Sequence, residues 1–166
     1  MEQKSKADEL SDMLDEIWAK LQSDIDAIKE ELKKEGYNVL AICSKKVSLT
    51  QMQNRLGFVV TMPENKVKDL LKILKSELRG TLSTEFGLHK KMAVFVITIK
   101  YPGKRWALLY LVYYHTDAEP LIKELGKQGL FTFFTTENQR VVGWVSMGSH
   151  QLYLFSRYTN VNPIND

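Results

Sequence analysis

The N-terminal part of the chain repeats apolar residues with the period of an α-helix. From about residue 7 to residue 35 the apolar positions step by three or four, giving an eleven-residue repeat that occurs twice. Eleven residues in three turns is about 3.67 residues per turn, close to an unstrained helix, so the apolar stripe runs almost straight. The pattern predicts one helix about 40 Å long, ended by Gly36. The stripe comprises Leu10, Leu14, Ile17, Leu21, Ile25, Ile28 and Leu32, and Trp18 widens it.

After Gly36 the pattern changes to the two-residue alternation of β-strands. Helical patterns return twice, at 64–78 and 117–129. The segment 47–58 superficially resembles the first helix of a helix-turn-helix, but the residues after it are too many and too β-branched for the turn, so we expect a loop or short helical turn there. Strands are predicted at 38–44, 57–63, the hairpin 90–115 with its turn at Pro102 and Gly103, and a meander at 130–137, 139–146 and 151–158.

The predicted order is α-β-β-α-β-β-α-β-β-β. Because neighbouring strands have short connections, they favour antiparallel pairing, and the fold class is α+β. The prediction is a mainly antiparallel sheet with two packed helices and a long N-terminal amphipathic helix. It divides the chain into an acidic amphipathic helix at 1–36, an α+β domain at 37–158 and a loose C-terminal tail at 159–166.

The two strands of the central hairpin are apolar on both faces. Trp106, Leu108 and Tyr110 alternate with Ala107 and Leu109, whereas a strand covered on one face only would show polar residues on the other. We therefore expect a layer on each side of this sheet. The two short helices are predicted to cover one side, and the acidic helix or a partner subunit the other.

Charge divides the chain in the same place as the pattern does. The net charge of +3 combines −5 in residues 1–36 with +8 in residues 37–166. Either the acidic helix complements a basic body, in this chain or in another, or the body keeps its charge for an anionic partner such as nucleic acid. The candidate anion-binding residues are Lys68, Lys72, Lys75, Arg79, Lys90, Lys91, Lys104 and Arg105, although a lysine run on a helix is more often only a solvated face.

Catalytic chemistry has little support in the sequence. Cys43 lies among apolar strand residues, where cysteine usually behaves as a small buried group. The three histidines, His89, His115 and His150, have no zinc-site spacing, and there is no glycine-rich phosphate loop. Thr116 and Glu119 fit a helix capping box, so His115 beside Asp117 is interpreted as incidental to that cap. We expect no catalytic residue, cofactor or metal.

The compartment is predicted from cysteine use and hydropathy. One cysteine rules out an internal disulfide, the N-terminus resembles no secretory leader, and the longest apolar runs are about eight residues, too short to span a membrane. We therefore expect a cytoplasmic protein without membrane contact.

The function predicted from sequence is association rather than catalysis. The N-terminal helix is expected to pair with a second copy, most simply in a homodimer, or to dock another protein. Its interface would be the apolar stripe of Leu10, Leu14, Ile17, Trp18, Leu21, Ile25, Ile28 and Leu32. The alternative is a nucleic-acid-binding protein that uses the basic body and is dimerised by the same helix.

Overall fold

The structure is a computed structural model that describes residues 5–52, 55–75, 80–125 and 129–146. Those residues form three α-helices and eight β-strands, and a short 3-10 turn precedes each of the last two helices. The helices are α1 (Lys6–Lys34), α2 (Val67–Leu74) and α3 (Glu119–Leu125). The strands are β1 (Asn38–Ile42), β2 (Val47–Met52), β3 (Arg55–Thr61), β4 (Thr81–His89), β5 (Met92–Tyr101), β6 (Trp106–His115), β7 (Leu130–Thr135) and β8 (Val141–Ser146).

Helix α1 has defined signals at both ends. The Ser5 hydroxyl accepts a hydrogen bond from the backbone N–H of Asp8 at 3.2 Å, which caps the N-terminus. Gly36 follows the helix with φ of 92°, a conformation that glycine adopts without steric cost, and its N–H donates to the Lys33 carbonyl. The predicted helix is confirmed.

The strands form two four-stranded sheets. Sheet A has the order β1-β6-β5-β4, and sheet B has the order β2-β3-β7-β8. The pairs β1–β6 and β3–β7 are parallel, and the other four pairs are antiparallel. The α+β class with mostly antiparallel strands is therefore confirmed, with the strands divided between two mixed sheets.

Sheet A is the middle layer of the molecule. Its outer face packs against α1, and its inner face packs against the inner face of sheet B. Helices α2 and α3 add Leu70, Ile73 and Ile122 to the core between the sheets. The prediction that both faces of the β5–β6 hairpin are covered is confirmed. Helix α1 covers the outer face of the hairpin, and sheet B together with α2 and α3 covers its inner face.

Two strands differ from the prediction. Residues 47–58 were expected to be a loop or a short helical turn, but 47–52 form β2. Val47 and Leu49 of this strand point into the core, while Ser48 and Thr50 point outward. Strand β4 was not predicted at all, because its exposed positions carry Thr, Ser and Glu. The predicted strand at 151–158 and the tail at 159–166 lie outside the described residues.

None of the described helices has both the length and the apolar character needed to cross a membrane.

Candidate interaction surfaces

The apolar stripe of α1 lies against the outer face of sheet A. Leu14, Ile17, Leu21, Ile25 and Leu32 are each 1–3% exposed in the single chain. Leu10, Trp18 and Ile28 are partly buried around the same cluster, which includes strand residues such as Val94 and Leu111. The predicted interface is therefore already covered within the single chain, because sheet A receives the stripe. A partner that contacted the predicted interface would have to displace the helix.

Ion pairs also hold α1 to the rest of the chain. Glu16 contacts Lys90 at 2.7 Å, Asp15 contacts Lys45 at 3.0 Å, and Glu35 contacts Lys100 at 3.1 Å. Lys45 also lies 5.0 Å from the centre of the Trp18 ring. Of the two explanations for the divided charge, the structure supports complementarity within one chain.

The predicted anion-binding residues do not form one patch. Lys68 and Lys72 are exposed on α2, Lys75 is exposed directly after it, and Arg79 lies outside the described part of the chain. Lys90 and Lys91 occupy the β4–β5 turn, whereas Lys104 and Arg105 occupy the β5–β6 turn, at the other end of the ten-residue strand β5. Lys90 is neutralised by Glu16, and Arg105 reaches the Glu35 carbonyl. The structure therefore places Lys90 and Lys91 at the opposite end of sheet A from Lys104 and Arg105.

The buried histidines serve the packing of α1. His115 is 6% exposed, its Nε2 lies 3.0 Å from a carboxylate oxygen of Glu9, and its Nδ1 accepts a hydrogen bond from the backbone N–H of Asp117. His115 itself therefore caps the turn before α3, where the sequence predicted a cap formed by Thr116 and Glu119. His89 of β4 aligns with His115 of β6 across sheet A, because both residues pair with Met92 of β5. The Nε2 of His89 lies 3.6 Å from a carboxylate oxygen of Glu16.

Cys43 does not form a reactive site with His89 or His115, and His150 lies outside the described residues. Cys43 follows β1, whose last residue pairs with Tyr110 of β6. His115 lies several residues further along β6, and His89 aligns with His115. Burial raises the pKa of the Cys43 thiol, which disfavours the reactive thiolate. The described residues contain no group of three His, Cys, Asp or Glu side chains placed to hold a metal ion.

The outer face of sheet B carries a cluster of apolar side chains, which we call the aromatic face. Its members lie in register on neighbouring strands and point away from sheet A. The Phe131 and Trp144 rings are 5.6 Å apart in an edge-to-face arrangement, and Trp144 is 56% and Val141 60% exposed. The aromatic face comprises Val59, Phe131, Phe133, Val141 and Trp144.

None of the three described helices covers the aromatic face. Helix α1 packs on sheet A. Helix α2 lies on the inner side of sheet B. Its Leu74 contacts Gly143, and Gly143 is the cross-strand partner of Phe134, which is buried in the core between the sheets. Ile122 of α3 belongs to the core between the sheets. This surface was not predicted from the sequence, although β7 contains the signal for it. Buried Leu130, Thr132 and Phe134 alternate there with Phe131 and Phe133.

Comparison with protein families matches residues 4–154 to a family model. The matched model is described as a family of unknown function, DUF7529. The chain belongs to this family. No curated protein matches it. The DUF7529 match includes α1 as well as both sheets, so the helix is part of the unit that defines the family rather than an addition to it.

Proposed function

We propose that this DUF7529 protein is a non-enzymatic association module that binds a second copy of itself through the aromatic face. The observation that carries the proposal is the exposure of Trp144 and Val141 beside Phe131 and Phe133 on one face of sheet B. Contiguous exposed apolar patches on soluble proteins commonly mark interaction sites. Tryptophan in particular contributes a large share of binding energy at protein interfaces.

The charges around the aromatic face favour a second copy as the occupant. At the end of sheet B where β7 leads into β8, Lys46 pairs with Glu137 at 2.8 Å and Arg140 pairs with Glu64 at 3.3 Å. At the other end, Arg55 lies 5.3 Å from the centre of the Phe131 ring. Because the margin is nearly neutral, two identical faces would meet without strong repulsion, and their apolar centres would exclude water.

The dimensions of the face set the expected strength of the contact. Two sheets pack face to face at about 10 Å. Four strands of six or seven residues present a surface roughly 20 Å on each side, which is at the small end of specific interfaces. We therefore expect a reversible dimer with a dissociation constant of about micromolar order. A cytoplasmic location, consistent with a single unpaired cysteine, is part of the same proposal.

Nucleic-acid binding is the second candidate, because exposed aromatic rings beside arginine can stack on bases. Phe131 with Arg55 offers one such position. However, Lys68, Lys72 and Lys75 belong to α2, which packs on the inner side of sheet B, so the lysines and the aromatic face lie on different sides of that sheet. A phosphate-binding surface needs several cations beside the stacking rings. The arrangement therefore favours a protein partner.

The test is the solution mass of the full chain as a function of concentration, measured by light scattering and sedimentation. We expect a monomer–dimer equilibrium that Trp144→Glu weakens at least tenfold. Leu121→Glu is the matched control, because Leu121 is also an exposed apolar residue, 36% exposed, but lies on α3. A monomer at all concentrations, or a dimer that Trp144→Glu leaves intact, contradicts the proposal.

The same samples test the alternative. Fluorescence anisotropy with a labelled single-stranded oligonucleotide, read at two salt concentrations, would detect nucleic-acid binding. Salt-sensitive binding that Trp144→Glu abolishes, without any dimer, would assign the aromatic face to nucleic acid instead.

A further inference from the structure

Strand β4 is a long and regular edge of sheet A. It pairs with β5 in unbroken register from Thr81 opposite Lys100 to His89 opposite Met92, and within the described ranges no strand pairs with its other side. Its nine residues contain no proline and no bulge. An unprotected edge of this kind presents a row of backbone donors and acceptors to an incoming strand.

The opposite edge of the same sheet is protected. The Lys66 ammonium donates a hydrogen bond to the backbone carbonyl of Ala41 in β1, where it is partly buried. Burial lowers the pKa of Lys66, and the nearby charge of Lys29 adds to that effect. A side chain therefore occupies part of the β1 edge, so the two edges of sheet A differ in their accessibility.

The two sides of β4 have different chemistry. Toward the core, Leu82, Phe86 and Leu88 are only partly buried, because they lie at the margin of the layer between the sheets. Toward α1, Ser83 and Glu85 are exposed. A neighbouring strand on this edge would therefore have apolar contacts on one side and polar contacts on the other.

A groove of about 340 Å³ lies on the polar side of β4, between that strand and the second half of α1. A smaller hollow of about 140 Å³ continues it along the helix and shares Glu85 and Val96. The groove walls carry Glu31, Glu35 and Glu85. Glu35 pairs with Lys100, whereas the exposed Glu31 and Glu85 have no ion pair with another described residue. The charge of the groove is therefore negative.

From these features we propose that β4 accepts an extended segment of a partner protein as a fifth strand of sheet A, and that this segment alternates apolar and basic residues. The backbone of the segment pairs with the free edge of β4. Its apolar side chains extend the surface of Leu82 and Phe86, and its lysine or arginine side chains lie over the groove toward Glu31 and Glu85. The site is separate from the aromatic face, so the two contacts are independent.

The probe is a fluorescent nine-residue peptide that alternates lysine and valine, titrated into the full chain and followed by anisotropy. We expect saturable binding that the double variant Glu31→Lys, Glu85→Lys weakens at least tenfold. Glu124→Lys, an exposed charge reversal on α3, is the control and should change affinity less than twofold. Trp144→Glu should leave peptide binding unchanged, which separates this site from self-association.

Strand addition is distinguished from simple charge attraction by N-methylated peptides. In an added edge strand, the N–H groups of alternate residues point toward β4 and those of the other residues point to solvent. N-methylation of the residues whose N–H groups point toward β4 should abolish binding. N-methylation of the residues whose N–H groups point to solvent should preserve it. Equal binding of both methylated peptides, or of a glutamate–valine peptide, would overturn the proposal.

Two other occupants of the edge are tested in parallel. A dimer that dissociates when excess peptide is added would assign β4 to a second copy of the chain. If the peptide bound at least tenfold more tightly to a chain that ends at Ser146, the residues after β8 would be the segment that occupies the β4 edge in the full chain. Either result would overturn the proposed partner.

Discussion

The hydroxyl of Tyr110 joins the two sheets inside the core. Tyr110 and Thr132 are both fully buried, and their side-chain oxygens are 2.9 Å apart. Burial raises the pKa of Tyr110, which keeps the phenol neutral at all ordinary pH values. The Tyr110 ring also meets Phe134 of sheet B edge to face, with 5.1 Å between ring centres. One residue of sheet A therefore makes both a polar and an aromatic contact with sheet B.

Removal of this hydroxyl should lower the free energy of unfolding. We expect Tyr110→Phe to cost about 1 kcal/mol, the usual net value of a buried hydrogen bond. In the double variant with Thr132→Val, the costs should be less than additive, because the two oxygens share one bond. Urea unfolding of the four proteins measures the coupling. Strict additivity would show that the pair contributes no mutual stabilisation.

Cys43 gives a second test at the residue scale. Because burial raises the pKa of its thiol, a smaller fraction is thiolate at pH 8 than in an unfolded chain. We expect an aromatic disulfide reagent to modify Cys43 at least tenfold more slowly in the native protein than in urea. A native rate equal to the unfolded rate would contradict the packing of Cys43 against the α1 layer.

At the scale of elements, α1 serves as one of the three layers. Leu21 is 2% exposed between the helix and sheet A. We expect Leu21→Ala to lower the free energy of unfolding by about 2–5 kcal/mol, the range for a buried leucine, without changing the dimer equilibrium. Leu121→Ala is the control and should cost little, since Leu121 is 36% exposed. If Leu21→Ala instead dissociated a dimer and left monomer stability unchanged, the helix would be an interface after all.

The attachment of α1 should also depend on pH. The pKa of Glu16 is lowered from 4.5, first because Lys90 donates a hydrogen bond to its carboxylate and then because Lys90 and His89 are nearby. A carboxylate with a lowered native pKa stabilises the fold above its unfolded pKa, and that contribution disappears as the pH falls through the native pKa.

Glu16→Gln should therefore reduce stability at pH 7 but have progressively less effect below pH 4.5. Urea unfolding across that range measures it, with Glu124→Gln as an exposed control. A Glu16→Gln effect that is independent of pH would mean that the charge of Glu16 is not involved.

The elements that sequence predicted best are those with a strong pattern of their own. Helix α1 has an uninterrupted stripe, and β5 and β6 are apolar at most of their ten positions. Strands β2 and β4 were missed because a strand exposed on one side can carry Ser, Thr and Glu there. The aromatic face was missed for a different reason. The alternation in β7 indicates two apolar sides, but which side stays exposed depends on how the two sheets pack.

At the scale of the whole molecule, α1 and sheet A depend on each other. A chain that begins at Tyr37 would expose the outer face of sheet A, including Val94, Leu109 and Leu111, which are at most 1% exposed in the complete chain. We expect this shortened chain to aggregate or to lose the cooperative unfolding of the full chain. Circular dichroism and soluble yield are the measurements. A soluble shortened chain with a sharp thermal transition would show that α1 is dispensable for folding.

The placement of sheet A between two layers also limits how the family can evolve. A strand with one face in water tolerates change at every second position, but β5 and β6 are buried along nearly their whole length. Substitutions there must preserve volume on both sides at once. Divergence among DUF7529 proteins should therefore accumulate in β2 and on the solvent side of α1 away from Glu31, and the central hairpin should be the most reliable guide for finding distant members.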